Sequence, residues 1–496
     1  MKALKRTILS ILLILLLISV ALWAAVNTAY GQKKVASLLS TLLTNKLGVD
    51  VQMARVHLTP FDNIEIDTLL VHDYFMDTLL YSASVYTDIS IFDIGLNTIM
   101  LDKIQLRNGK FAMHTQPGQS SDGLILLIDS LLAQTSSSAT SWNFGIRSVT
   151  MEDFRFELWN DNVPLMDKGR FDSQHILVND LQLSVDSIQF LSGGVALIVN
   201  SLQGVESFSG LHVKDLNSHF YLDQNELSLK HTSLLVEESR IEADVIFRYT
   251  SATDLSHFID SVTMDITLND SEVRTVDLIS FLPPLKDIDG TYRLQGHAHG
   301  KINDLLFRDI DFRFGDYSRL IADGRVGNML DFEKIEYALQ VHELNSSTHE
   351  LKSLGIQELT RVISDLDFLE RIGQFSLQTE LIGDRAVCKS ALDLTSKKGN
   401  IHTISTIQFP GTALKEKYFG ELEMTSVQLG EIFNIKELDV VNAKVVYSVT
   451  SPSTSPSARI AGKIESLRYK GFTYKNITVD ADFEKSLFNG DIVIEQ

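Results

Sequence analysis

Cysteine is almost missing from this 496-residue chain: Cys388 stands alone, so no intramolecular disulfide and no cysteine-built metal cluster can hold the fold. Stability has to come from packing and backbone hydrogen bonds. Proline is scarce, with 8 residues, and glycine numbers 28, so few extended runs are interrupted. Positive charge is in deficit, 44 lysines and arginines against 64 aspartates and glutamates, for a net charge of −20. A surface of that sign repels nucleic-acid phosphate and excludes nucleic acid as a partner. Apolar residues make up 44% and charged residues 22%, a composition that folds rather than stays disordered.

The longest apolar run lies at the start. Lys2, Lys5 and Arg6 precede Ile8 to Val26, with Ile8, Leu12, Leu16, Val20 and Val26 spaced along it and no charge before Lys33. At ~1.5 Å per residue this stretch covers most of a ~30 Å hydrocarbon core. It predicts a single-pass anchor with the body exported, following the positive-inside rule. A signal peptide cleaved near Ala29-Tyr30-Gly31 is the competing reading, and it exports the body as well. Lys33 to Gly48 then places Val35, Leu38, Leu39, Leu42, Leu43 and Leu47 at helical spacing, with Gly48 as the stop. Such an amphipathic helix either caps the core that follows or lies on the membrane surface.

From Val49 the period changes to two. Ile241, Ala243, Val245, Phe247 and Tyr249 alternate with more polar residues, as do Tyr337, Leu339 and Val341, and the same grammar recurs at Phe154-Phe156-Leu158, Ile310-Phe312-Phe314 and Ile477-Val479-Ala481. Turn chemistry at Arg107-Asn108-Gly109-Lys110, Leu191 to Gly194, Leu222 to Asn225 and Phe314-Gly315-Asp316 reads as hairpins. Helical islands are expected at 122–132, 273–281, 358–372 and 430–433. The polar stretch 134–141 reads as a boundary, and the serine/threonine/proline run 450–457 as a loop. The fold class expected is mainly β: an N-terminal transmembrane helix and an amphipathic helix, then a long curled antiparallel-type sheet with a few short capping helices. The divisions expected are 1–30, a cytoplasmic tip and anchor; 31–140, an N-terminal region; and 141–496, a repetitive β-sheet.

Signals for chemistry are weak. His297-Ala298-His299 puts two rings on one strand face without a third ligand nearby, and Asp309 and Asp311 read as solvated carboxylates on one face. Cys388 reads as a packing residue. No nucleophile elbow, Walker loop or dinucleotide fingerprint is present, so no enzyme, cofactor or metal is expected.

The basic-flanked anchor, the segment KKVASLLSTLLTNKLGVDVQMARV, the phrase Asp77-Thr78-Leu79-Leu80-Tyr81-Ser82-Ala83, and Ile104-Gln105-Leu106-Arg107-Asn108-Gly109-Lys110-Phe111 together resemble the TamB family. These are the inner-membrane subunits of the translocation and assembly module, in the AsmA-like superfamily, and the likeness is closest to the Bacteroidetes type over residues 1–135. The resemblance implies an inner-membrane protein with a periplasmic body shaped as a β-taco or groove. Phospholipid acyl chains would pass along it toward the outer membrane, and a TamA-type outer-membrane barrel would be its partner in assembling other barrels. On that reading Ile241, Val245, Phe247, Tyr249, Tyr337, Leu339 and Val341 line the groove. Family members run longer, and the ending Gly490 to Gln496, inside an apparent strand, predicts that this is part of a longer chain. A non-transporting envelope scaffold or adhesin-like β-protein is the alternative.

Overall fold

The computed structural model describes residues 17, 24–25, 27–58, 63–93, 98–119, 123, 143–191, 194–251, 254, 258–281, 285–286, 288–331, 333–410, 416–450, 457–484 and 487–494. Among them no helix is long and apolar enough to cross a membrane. The anchor positions Ile8, Leu12, Leu16, Val20 and Val26 lie outside the described residues, as does nearly all of the helix expected at 122–132 and the whole of the polar stretch 134–141. The chain is mainly β and divides into two compact units, Met1–Glu237 with Ile246–Phe258, and Glu238–Val245 with Ile259–Gln496.

The first unit opens with helix α1 (Ala29–Leu47). Thr28 caps it by accepting the Gly31 N–H at 3.1 Å, and Gly48 closes it in the left-handed conformation, φ 74°, donating its N–H to the Thr44 carbonyl. Glycine is needed there because a Cβ disfavours that conformation. Nine strands follow: β1 (Val51–Leu58), β2 (Asn63–His72), β3 (Thr78–Asp93), β4 (Thr98–Thr115), β5 (Asn143–Asn160), β6 (His175–Leu191), β7 (Gly194–Glu206), β8 (His212–Asp223) and β9 (Glu226–Val236). Ala36 of α1 is buried with Val56, Ile66, Val85, Leu106, Phe154 and Leu181, and Val35 and Leu39 pack on that cluster. The helix therefore covers the start of the sheet's apolar face, while Leu38 and Leu42 stay exposed on its other side.

Two expectations are corrected in this unit. The sheet is not purely antiparallel: β4 and β5, each 18 residues long, run parallel from Thr98 opposite Asn143 to Thr115 opposite Asn160. A parallel pair requires a long crossover, and residues 116–142 supply it. Asn108-Gly109 is not a hairpin turn, because β4 passes straight through it. Asn108 has φ 51°, and Thr68, Asp153 and Asp180 adopt similar values at the same level of neighbouring strands β2, β5 and β6. Short polar side chains tolerate this conformation and mark irregularities that bend a strand. Gly109 is obligatory beside Asn108, since a Cβ there would lie 2.2 Å from the Tyr81 carbonyl oxygen and 2.3 Å from the Phe154 ring. Fully buried Ser82 repairs the ladder at this point: its hydroxyl lies 2.8 Å from the Ser84 carbonyl and accepts the Arg107 N–H at 3.2 Å.

The division between the units falls within β10 (Ser239–Arg248). The second unit continues with β11 (Thr263–Arg274), β12 (Thr291–Lys301), β13 (Asp304–Phe314), β14 (Ser318–Gly327), β15 (Glu336–Ser347), β16 (Gln374–Asp384) and β17 (Val387–Ser396). It ends with β18 (Gly399–Gln408), β19 (Lys417–Gln428), β20 (Leu438–Thr450), β21 (Ser457–Tyr469), β22 (Phe472–Glu484) and β23 (Leu487–Ile494). From β11 on, each strand pairs antiparallel with the next. The 273–281 island is mostly something else: β11 runs to Arg274, and only Thr275–Leu278 is helical. Helices Gln357–Asp365 and Leu429–Phe433 and the 3-10 turn Asp367–Ile372 occur where islands were read, with Phe368 stacked on Phe433 at 5.0 Å.

Turns in both units are tied down by buried carboxylates. Asp73 accepts the N–H groups of Phe75 and Asp77 at 2.8 and 2.9 Å, Glu206 those of Phe208 and Ser209 at 3.1 and 2.7 Å, and Glu350 that of Asp316 at 2.9 Å. Each gives a buried charge the hydrogen bonds it requires. Truncating Ser82 to alanine should orphan the Arg107 N–H and lower stability by about 1–3 kcal/mol. Phe154→Ala should cost about 3–5 kcal/mol. Both are measured by urea unfolding followed by circular dichroism, and wild-type midpoints would show that neither site carries the sheet.

Candidate functional site

Directly opposed residues of antiparallel strands face the same side of a sheet, so register collects side chains that are distant in sequence. In the second unit one such row crosses twelve consecutive strands, β12 to β23. It reads Leu294, Phe312, Leu320, Leu344, Leu377, Leu394, Ile401, Met424, Ala443, Ile464, Ile477, Ile494. Every member is apolar. At ~4.8 Å between strands the row is about 50 Å long. A parallel row on the same face runs Leu305, Val326, Tyr337, Gly383, Cys388, Ile407, Tyr418, Val449, Ala458, Phe483, Phe488.

This face is not sealed. In the first row Ala443 and Ile477 are buried, Ile494 is 50% exposed, and the other nine are half-buried. The two clusters of fully buried apolar residues found among the described residues both lie in the first unit. On the opposite face the row flanking the first apolar row is polar, running through Glu272, Arg293, Arg313, Arg319, Asn345, Ser376, Thr395, Asn400 and Thr425, each opposite the next, while Ile382, Ile404 and Val446 are exposed on that face as well.

The seven lining positions read from the sequence fall as follows. Tyr337, Leu339 and Val341 share one face of β15, half-buried, opposite Val326, Gly324 and Ala322 of β14. Tyr337 borders a cavity of about 320 Å3, and Leu339 one of about 450 Å3. Burial, and then a hydrogen bond with the Cys388 thiol, raises the Tyr337 phenol well above its ordinary pKa. Ile241 and Val245, in the second unit, are half-buried on β10. Phe247 and Tyr249 belong to the first unit. Phe247 is covered edge-on by Phe258 at 5.1 Å, and Tyr249, 7% exposed and just past the end of β10, donates its hydroxyl to the Asp223 carbonyl at 2.9 Å.

The long apolar row was missed because strict alternation slips at bulges. After Val341 the register shifts, and Leu344 rather than Glu343 continues the face; the same happens between Phe307 and Ile310 and between Met424 and Val427. Left-handed Asp309, φ 52°, and Ser426, φ 55°, are the local signs of two of these shifts. The period-two signal is right within each half-strand and loses count across the bulge.

Among the groups weighed for chemistry, His297 and His299 pair across the ladder with Thr267, at 3.0 Å, and Asp265, at 3.8 Å. No cluster of three or more metal-ligating side chains occurs among the described residues. Cys388 is buried on the apolar face. Asp309 is exposed as expected, whereas the expectation for Asp311 is corrected. Asp309 occupies the bulge, and Asp311 is buried, 6% exposed, beneath Arg313 and Arg319. Its two oxygens receive Nε and Nη2 of Arg319 at 3.0 and 2.8 Å and of Arg313 at 3.3 and 3.1 Å.

The Arg319 fork, opposed by desolvation and helped by Arg313, holds the Asp311 carboxyl down at about 2 from an ordinary 3.8. A carboxyl whose pKa is lower in the folded state stabilises at pH above its unfolded value, and the contribution fades as pH falls toward about 2. Asp311→Asn should therefore lower stability by about 2 kcal/mol at pH 7, with the gap to wild type closing between roughly pH 4 and 2. Urea midpoints across that range check it, and a gap that persists at pH 2 would assign the loss to packing instead. Comparison with protein-family models, with curated proteins and with solved structures finds no match to this chain.

Proposed function

We propose that this protein is a lipid conduit: anchored in the inner membrane by its N-terminal apolar segment, it carries phospholipid along the apolar face of the sheet through the periplasm toward the outer membrane. One observation carries the reading, the twelve-strand apolar row that stays half-exposed. Each such side chain leaves on the order of 1 kcal/mol of burial unrealised, so the row as a whole forgoes on the order of 10 kcal/mol. A sheet face that served only stability would be covered by a second layer. An acyl chain laid along the row supplies that cover, and because burial is non-directional it can slide from one rung to the next without breaking specific bonds.

The anchor, the periplasmic location and a TamA-type barrel as partner in outer-membrane protein assembly rest on the N-terminal sequence, on Ile8 to Val26 and on the resemblance over residues 1–135. The alternative, a scaffold or adhesin-like β-protein, would have this face covered by protein.

A charge placed on the row discriminates the two. In an open groove Leu339→Arg or Leu394→Asp hydrates and leaves the fold intact, whereas under a second layer it buries an unpaired charge at several kcal/mol. The conduit predicts folded variants that lose lipid transfer, together with phospholipid crosslinked to a photoreactive residue at position 337 of the otherwise wild-type chain. Unfolding of both charge variants with no lipid crosslinked at 337 would leave the scaffold standing.

A further inference from the structure

Arg293, Arg313 and Arg319 stand directly opposite one another on β12, β13 and β14, on the polar face. Like charges so placed repel, and in a chain of net charge −20 three adjacent guanidinium groups need a reason. Two carboxylates answer them in part. Glu272 accepts Arg293 Nε at 2.9 Å, and Asp311 takes both of the other arginines. Asp270 near Arg313, Glu343 near Arg319 and Asp316 on the lining add further negative charge, so what these arginines offer an anion is the donors they present and not a net charge.

The guanidinium groups are not used up. Each carries five N–H donors, and Arg313 and Arg319 each turn only Nε and Nη2 to Asp311. Their side chains remain 53% and 40% exposed, and that of Arg293 58%. All three border a hollow of about 610 Å3, together with Thr291 and Tyr317. Asp311 beneath them locks two of the forks in place, so the remaining donors are presented without a further loss of side-chain freedom. The nearby carboxylates of Asp316 and Glu343 oppose an anion held only by long-range attraction, so a ligand must reach the free N–H donors directly.

We propose that this hollow binds a phosphate-class oxyanion, held by Arg293, Arg313 and Arg319. Planar forks match tetrahedral oxyanions through paired N–H donors. The site lies on the face opposite the apolar rows and stands whether or not those rows carry lipid.

The test uses the full chain in detergent, titrated calorimetrically with inorganic phosphate and with a short-chain phosphatidate below its micellar concentration. Both should bind. Arg313→Gln should weaken binding about tenfold. Glu272→Gln, which frees Arg293 and removes a repelling charge, should tighten it, a change of sign that misfolding cannot imitate. Phosphatidate binding that is tighter than that of phosphate and is weakened by Arg313→Gln to the same degree assigns the site to a lipid headgroup, and equal binding of the two probes assigns it to free phosphate. Absence of binding by either probe, or binding unchanged in both variants, overturns the proposal.

Discussion

Backbone pairing between strands adjacent in the chain is the constraint on which the rest depends. A buried N–H or C=O left without a partner costs ~1–3 kcal/mol, so every interruption of the ladder has to be made good. Where the ladder is interrupted, a small buried side chain or a carboxylate completes it. Ser82 does so beside left-handed Asn108 of β4, and Ser271 repeats the device in the second unit, accepting the Glu242 N–H at 3.0 Å while its hydroxyl lies 3.2 Å from the Glu242 carbonyl. Thr275 brackets Gly290 in the same manner. At the turns Asp73, Glu206 and Glu350 serve the loop N–H groups. The chain has one cysteine and spends its buried polar residues on this task instead.

Given that pairing, the pleat divides the side chains of the second unit between two faces with different physics. The polar face carries ion pairs such as Arg325 with Asp304 and Arg459 with Asp480, all well exposed and each worth little. They keep that face wet and fix which side is which. Asp311 is the exception, buried and doubly forked, and it is the point where the polar face acquires a defined electrostatic structure. The apolar face gains its character from repetition, since no single leucine in the row distinguishes it from an ordinary half-buried strand position. Burial is additive, so a row twelve residues long offers an apolar partner what no individual side chain could.

The bulges hold these two themes together. Each adds one residue to a strand, bends it and shifts its parity, and the apolar face survives only because the residue identities shift with it, as from Val341 to Leu344. Positions 153, 180, 309 and 426 are aspartate or serine, residues whose short side chains allow the left-handed backbone that a bulge demands. In β4 the same Asn-Gly chemistry that would close a hairpin serves a left-handed kink with no change of register, because flanking strand residues on both sides have partners in β3 and β5.

Sequence alone determined what depends on local chemistry. The period-two alternation of Tyr337, Leu339 and Val341 specified a strand with one apolar face, Gly48 specified the end of α1, and the turns at Leu222 to Asn225 and at Gly315 lie between strands. What only tertiary structure decided depends on partners. The parallel pairing of β4 with β5, the passage of Asn108-Gly109 through a continuous strand, the burial of Asp311 beneath two arginines, and the joining of Leu294 to Ile494 in one row are all consequences of strand pairing. Register is set by which strand lies alongside and by how many residues each bulge absorbs, and neither quantity is written in the periodicity of any one segment.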